Sequence, residues 1–357
     1  MFGFGRKSSN LFGLDIGSTS VKLIELSRAS GTGAELYRVD AFAVEPLPTG
    51  AVVERKIADI DAVGQCIQNA LRRSGSKTKR AAVALSGSSV ITKVIPMTAS
   101  LSDAEMETQI QVEADQYIPY PLEEVNIDFD IVGPTAGNTE MVDVLIAASR
   151  RENVDDRVAT LEIAGLTAAI VDVEAFAMEN ACALLLGHSD EAHASETVAL
   201  ADVGASTTTL HVFHGERTIY TREQNFGGDQ LLDEIQHRYG MSKTDALENL
   251  AAETLPEDFE TDVLIPFKDA MSQQIARALQ FFYSATTFNR TDQVILAGGV
   301  AVLPNLAPFV GKRLGFPVSI ANPFSIMGFA PEIDRHAIDH AAPSMMTATG
   351  LALRSFD

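Results

Sequence analysis

One short motif occurs twice in this chain, and that repetition limits the fold more than any other feature. Asp15-Ile16-Gly17-Ser18-Thr19-Ser20 returns as Asp202-Val203-Gly204-Ala205-Ser206-Thr207, about half of the 357-residue chain further on. Each copy follows a short apolar run (residues 11–14 and 198–201) and leads into a second one (21–26 and 208–213). Strand, tight glycine turn, strand is the expected form of each. A repeat at half-chain spacing implies two diverged lobes, each opening on the same hairpin. The length agrees, because 357 residues are more than one core usually serves. The expected class is α/β.

Charge narrows the partners. Lys and Arg total 27 against 48 Asp and Glu, a formal charge of −21. Such a surface repels phosphate backbones and anionic headgroups, which disfavours nucleic acid and direct membrane binding. The one basic cluster (Arg72, Arg73, Lys77, Lys79, Arg80) is expected to be a solvated helix end and loop. Cys66 and Cys182 are the only cysteines, with no His or Cys grouped around them. That excludes a disulfide scaffold or a cysteine zinc site and suits a reducing compartment. No stretch approaches the roughly 20 apolar residues that span a bilayer. Arg6 and Lys7 precede no apolar run of the signal-peptide kind. These features point to the cytoplasm, with any membrane association supplied by a partner.

Between the copies lies a section of different character. Ser102-Asp103-Ala104-Glu105 reads as a capping box, followed by Met106, Ile110, Ala114 and Tyr117 at helical spacing, with Pro119 and Pro121 ending the helix. Val125, Ile127, Phe129 and Ile131 alternate with polar residues as a half-buried strand; 133–140 reads as a loop and 141–148 as its partner strand. A helix over 152–164, a strand over 167–172, a buried helix over 173–186 and a polar linker over 187–196 follow. Beyond the second copy, Gly227-Gly228-Asp229 precedes a helix over 230–239. Further helices are expected over 272–286 and 343–354, with a buried strand running into Gly298 and Gly299. The division is a first lobe over 10–187 carrying an inserted α+β subdomain at 97–165, a second lobe over 195–342, and a closing helix (343–357) packed back on the first.

A strand ending in Asp-X-Gly-Ser-Thr offers specific chemistry. The glycine turns the backbone tightly, and successive N–H groups with hydroxyls can wrap an anion. Each charge-assisted hydrogen bond contributes about 1.5–3 kcal/mol, so several hold a polyphosphate firmly. An aspartate beside phosphate needs a cation between them, and hydrated Mg²⁺ bridging the phosphates is the natural choice for Asp15 and Asp202. One such loop would be an ordinary hairpin turn; two facing each other across a cleft would grip a nucleotide from both sides. Gly298, Gly299 and Val300, after a buried strand, would let a flat ring approach the backbone. None of the histidines has convincing metal-ligand spacing, and Phe281, Phe282 and Tyr283 are expected to be core.

This order of parts resembles the actin-like ATPase superfamily, which includes actin, MreB, FtsA and DnaK-type chaperones. The resemblance implies two lobes of duplicated ribonuclease-H-like domains with an FtsA-type insert, and ATP held by Asp15, Gly17, Ser18, Thr19, Ser20, Lys22, Asp202, Gly204, Ala205, Ser206, Thr207, Gly228, Gly298, Gly299 and Val300. Lys22 falls where the first loop of actin carries a phosphate-contacting lysine. Glu174 matches the glutamate that opens the first connecting helix and is the candidate for polarising water; Asp172 sits beside it, and either could be the general base if the chain were a kinase. From its place alone, Glu174 is equally a helix-N-terminal carboxylate favoured by the dipole.

Three motifs are similar to those of the PilM family of type IV pilus assembly proteins: residues 18–23, 113–125 and 226–229. That resemblance implies an ATP-binding scaffold in pilus biogenesis and twitching motility. It would be peripheral at the inner membrane through the N-terminal tail of a PilN-like protein and alongside other inner-membrane pilus components. Homo-oligomerisation stays open. Tyr117, Pro119, Tyr120, Pro121 and Asp128 are the candidate tail-binding residues. Two other readings of the same fold stand beside it: a small-molecule kinase of the sugar and acetate kinase branch, and a cytoskeletal filament protein. Any ATP hydrolysis is expected to be slow.

Overall fold

The computed structural model describes residues 10–29, 36–186, 196–215 and 217–356, so most of the linker read at 187–196 lies outside the described residues. The first lobe runs through β1 (Phe12–Ile16), β2 (Ser20–Arg28), β3 (Tyr37–Pro46), the small hairpin β4 (Val52–Val53) and β5 (Lys56–Ile57), α1 (Ile60–Ser74) and β6 (Arg80–Leu85). The insert follows as β7 (Val90–Thr98), α2 (Asp103–Ala114), β8 (Val125–Thr135) and β9 (Asn138–Arg150). The chain then returns through α3 (Arg151–Ile163), β10 (Thr167–Val173) and α4 (Glu174–Leu186). The second lobe comprises β11 (Thr197–Val203), β12 (Thr208–His214), β13 (Arg217–Gln224), α5 (Gly228–Tyr239), α6 (Lys243–Ala251), α7 (Ile265–Ala285), β14 (Gln293–Ala297), α8 (Leu306–Leu314) and β15 (Val318–Ile320). Last come β16 (Gly328–Phe329), α9 (Arg335–Ala341) and α10 (Met346–Leu353).

The duplication seen in the sequence is a duplication of topology. In the first sheet the strands lie in the order β10-β6-β1-β2-β3-β16; in the second, β13-β12-β11-β14-β15. Each contains an antiparallel three-strand meander with two parallel strands beyond its first strand; β6 pairs parallel with β1, and β14 with β11. Parallel strands buried on both faces read as unbroken apolar runs, and Val294-Ile295-Leu296-Ala297 in β14 is fully buried.

α4 and α10 lie between the two sheets. α4 is apolar on nearly every side, as a helix with no solvent face must be. Its Ala177 joins Leu11, Ala82 and Leu351 against the first sheet, while Met178, Ala181 and Cys182 pack on Val198, Leu200, Phe213 and Ile295 of the second. α10 places Ala348 and Ala352 against Ile24 and Leu26 of the first lobe and Met346 against the second. The helices approach so closely that a Cβ on Gly350 would sit 1.7 Å from the Ala177 carbonyl oxygen, and one on Gly13 of β1 would sit 1.9 Å from that of Ala348.

The insert is a three-stranded sheet, β7-β9-β8, with α2 across it. It takes in β7, ahead of residue 97, and α3 beyond it packs through Leu161 on the first-lobe core beneath α1. The capping box at the start of α2 forms: the Glu105 carboxylate accepts from the Ser102 N–H at 2.8 Å.

Several expectations need correction. The stripe Met106, Ile110, Ala114 is buried, but Tyr117 is not part of it: α2 stops at Ala114, and tight turns back to Glu113 and Ala114 swing Tyr117 out to 41% exposure. Pro119 disfavours helical backbone at the residue before it, so the helix has nowhere to continue. The loop read at 133–140 is mostly strand, because the β8–β9 ladder reaches Thr135↔Asn138 and leaves only Ala136 and Gly137 as the turn. Ile131 is exposed at the edge of its sheet, and Phe281 lies outside under Arg222 while Phe282 fills the core. The helix read at 272–286 begins earlier, at Ile265. The one read at 343–354 opens with a 3₁₀ turn, Ala342–Met345, before α10.

The contact between α4 and α10 gives a stability test. Gly350→Ala adds one methyl against backbone that has no room to yield. Overpacking of this kind costs about 1–3 kcal/mol, and the better helix propensity of alanine returns at most about 1. A net loss of about 1–2 kcal/mol in urea unfolding is expected. A variant as stable as the wild type would show that the helices do not meet here.

Candidate functional site

The two repeated hairpins put their turns on either side of the space between the lobes. In the first, Asp15 lies opposite Lys22 and the Gly17 N–H donates to the Ser20 carbonyl at 3.0 Å. In the second, Asp202 lies opposite Thr209 and the Gly204 N–H donates to the Thr207 carbonyl at 2.9 Å. The turns meet tip to tip, with the Ser18 and Ser206 hydroxyls 3.5 Å apart. Among the described residues, the N–H groups of Ser18, Thr19, Ala205 and Ser206 go to no backbone carbonyl. Free N–H groups in a concave turn are what an anion requires.

Behind the turns lies a cavity of about 1180 Å³. Of the sequence-predicted site residues, Asp15, Gly17, Ser18, Thr19, Ser20, Lys22, Glu174, Asp202, Gly204, Ala205, Thr207, Gly228, Gly298, Gly299 and Val300 line it. Ser206 does not, although its hydroxyl reaches Ser18. Asp172 is also absent from the lining: it is buried in the first lobe and pairs with Arg354 at 3.3 Å. Glu174, the first residue of α4, faces the cavity while Asp172, two residues earlier on β10, does not.

Two backbone features shape the second-lobe side. The first turn of α5 docks on the second hairpin, where Gly228 donates to the Gly204 carbonyl at 3.0 Å and Asp229 to that of Ala205 at 2.8 Å. Gly298 has a φ of 87°, and a Cβ there would sit 2.3 Å from the Val203 carbonyl oxygen and 2.6 Å from an Asp202 carboxylate oxygen. The bare face of Gly298 is therefore spent on packing against the second hairpin. Gly299 is the one with open space before it.

The charges of the cleft are unbalanced. Lys22 Nζ donates to Asp15 at 2.9 Å. Burial opposes the charge on Lys22, but Asp15, with Asp202 and Glu174 further off, overcomes it and raises the ammonium above its ordinary value. Burial pushes the Asp202 carboxyl up to about 6 against the pull of Lys22, with Asp15 adding to the rise. Burial likewise pushes Glu174 up to about 7, opposed by Arg55 and assisted by the charge of Asp15. Carboxylates held in this way bind a cation well. Among the described residues no three acidic, His or Cys side chains form a metal cage. The donor set fits Mg²⁺ in its usual mode, with one or two carboxylates through water and the rest of the shell from a ligand.

Sequence reasoning missed three parts. Arg55 reaches in from the β4–β5 hairpin to Thr207 and Glu174, and nothing in Val52-Val53-Glu54-Arg55-Lys56-Ile57 marks it as chemical. Leu247, Leu250, Leu255, Phe259, Leu264 and Leu303 make one wall of the cavity apolar, suited to a flat ring. Amphipathic helices carry their own core signal, which hid this wall. Third, Lys243 pairs with Asp229 at 3.0 Å on the rim.

The partner residues fall elsewhere. A hollow of about 130 Å³ between the insert and the first lobe is lined by Ile91, Ile118, Tyr120, Val125, Arg150 and Lys56 among others. Arg150 lies 5.4 Å over the Tyr120 ring. Tyr117 stands outside the hollow beneath Lys93, and Asp128 is exposed and also outside it. Pro119 and Pro121 are exposed on the segment that carries Tyr120.

Paired meander sheets, two helices packed between them and a cavity gated by matching hairpin turns make this an actin-like ATPase fold. The ethanolamine utilization protein EutJ from Carboxydothermus hydrogenoformans superposes with a TM-score of 0.56 at 17% identity, over 96% of this chain and 89% of that one. The pattern of the type IV pilus assembly protein PilM family matches residues 13–356, and the chain belongs to that family. The structure of a PilM-PilN type IV pilus biogenesis complex is similar over 97% of this chain and 98% of that one, with a TM-score of 0.79 and 27% identity.

The raised Glu174 carboxyl yields a pH test. Between 4.5 and about 7 the folded chain holds a proton that the unfolded chain has released, so stability falls as pH rises through that interval. Glu174→Gln removes this titration. Relative to wild type, the variant should gain on the order of 1–2 kcal/mol in urea unfolding from below that interval to above it. A difference that does not change with pH would mean that Arg55 keeps the carboxylate charged throughout.

Proposed function

We propose that this chain is an ATP-binding scaffold of type IV pilus assembly, held at the inner membrane by a membrane-anchored partner. The observation that carries the nucleotide half is the pair of matching turns facing each other at the mouth of one cavity, with Asp15, Lys22 and Asp202 at their bases. In this reading the turn N–H groups and Lys22 hold the phosphates, and Asp15 and Asp202 hold a hydrated Mg²⁺. The apolar wall takes the adenine. Glu174 is the residue best placed to orient a water, since a carboxyl with a value near 7 can accept a proton at neutral pH. Turnover is slow, and the protein works by binding.

Membership of the PilM family supports the pilus role. The similarity to a PilM-PilN complex supports the N-terminal tail of a PilN-like protein as the partner. No helix among the described residues is long and apolar enough to cross a membrane, which fits recruitment through such a tail. The hollow holding Tyr120, on the stiff segment between Pro119 and Pro121, is the place we assign to the tail, because a preformed groove costs little ordering on binding. Neither the kinase nor the filament reading is favoured by the family match.

Two measurements test the two halves. In calorimetry, Asp15→Ala and Asp202→Ala should each lower Mg-ATP affinity by about tenfold or more, the worth of one charge-assisted contact; wild-type affinity in both would reject the site. In a fluorescence titration, a PilN-like tail peptide should bind the wild type and lose most of its affinity to Tyr120→Ala. Equal binding to both would move the tail to another surface.

A further inference from the structure

Arg55 reaches the cleft from an element outside both repeated hairpins. It stands on β4–β5, a two-residue turn in which Glu54 and Arg55 have φ values of 48° and 63°. Turns of this type ordinarily carry glycine or asparagine, because positive φ is unfavourable for other residues. Glu54 and Arg55 hold that conformation all the same, and it aims the Arg55 side chain into the cavity.

The guanidinium crosses from the first lobe to the second. Its Nη1 donates to Thr207 Oγ1 of the second turn at 2.9 Å and lies 3.5 Å from Glu223 of β13, while its Nη2 donates to Glu174. Its Nε is buried and has no acceptor. An orphaned N–H on a largely buried guanidinium is costly, and it marks a place where an acceptor belongs. The charges of Glu174, Glu223, Asp202 and Asp15 all act on the guanidinium. A planar fork with one donor idle, set against the second phosphate turn, suits a tetrahedral oxyanion, since guanidinium binds phosphate through paired donors.

We propose that Arg55 is the terminal-phosphate contact of the cleft, so that it distinguishes a nucleoside triphosphate from a diphosphate. This rests on the nucleotide reading above and extends it to a residue that neither repeated motif contains. With the cleft empty, Arg55 offsets the charges of Glu174 and Glu223. With a triphosphate present, its fork turns to the outermost phosphate beside Thr207. Glu174 is then released from its ion pair at the point where a water would lie. A diphosphate does not reach the fork and leaves the Arg55–Glu174 pair in place.

The test is calorimetry on the full chain with Mg-ATP, a non-hydrolysable ATP analogue and Mg-ADP, for wild type, Arg55→Ala and Arg55→Lys, with urea unfolding to verify that each variant folds. Arg55→Ala should weaken both triphosphates by about tenfold to a hundredfold and leave ADP within about twofold. Arg55→Lys should fall between, since it keeps the charge without the fork. A parallel loss for ATP and ADP, no change for either, or tighter binding of both would overturn the proposal while leaving the nucleotide site standing. A wild type that binds none of the three would overturn the nucleotide reading and this one with it.

Discussion

The two large sheets of this protein rest on two helices that touch backbone to backbone. α4 and α10 meet where Gly350 lies on Ala177, and Gly13 lets α10 settle on β1 in the same way. Any side chain at these points would push the helices off the first sheet, and α4 also carries the packing of the second. The two hairpins are extensions of those sheets, so their meeting at Ser18 and Ser206 is set by the spacing of the helices beneath. A further tie runs directly between the layers: the Gly298 N–H donates to the Pro343 carbonyl at 2.8 Å, joining the end of β14 to the turn that leads into α10. The functional geometry is thus fixed from below by close packing, with the surface loops following.

That scaffold holds an electrostatic arrangement that would be poor for stability alone. Asp15, Asp202 and Glu174 face one cavity with Lys22 and Arg55 as the nearest cations. Burial raises two of the three carboxyls, which is the response of an acid short of partners. Add to this a turn with two positive-φ residues that are not glycine, each costing about 1 kcal/mol or more. Strain and like charges gathered at one place in an otherwise well-packed molecule are the usual mark of a site shaped for a ligand that completes it.

The insert follows a different logic. Its sheet carries one buried face, formed by Ile95, Met97, Val144 and Ile146 with Met106 and Ile110 of α2, and leaves the other side to solvent. Its edges are exposed at Val94 on β7 and Ile131 on β8. What it presents to the rest of the molecule is the hollow beside Tyr120, and the far wall of that hollow includes Lys56, the residue after Arg55. Arg55 and Lys56, neighbours on the β4–β5 hairpin, therefore line the cleft and this hollow respectively.

The sequence by itself determined the two-lobed plan, because a strand–turn–strand motif repeated at half-chain spacing has few other meanings. It also determined which residues of those turns come together, since hairpin register is local: Asp15 opposite Lys22 follows from a four-residue turn. The capping box of α2 and the buried runs of β11 and β14 were legible for the same reason, being patterns within a dozen residues. What only the tertiary structure decided is long-range. Asp172 and Glu174 are two residues apart and look equivalent in sequence, yet one faces Arg354 and the other the cavity, because the strand ends and the helix begins between them. Gly298 looked like room for a ligand and is room for Asp202, a neighbour almost a hundred residues away in the chain. Arg55 is an unremarked basic residue between short strands until the lobes close around it and bring Thr207 within 2.9 Å. Periodicity and turn chemistry report what a segment does alone; which distant group fills the space beside it is settled by packing, and packing is written in no single segment.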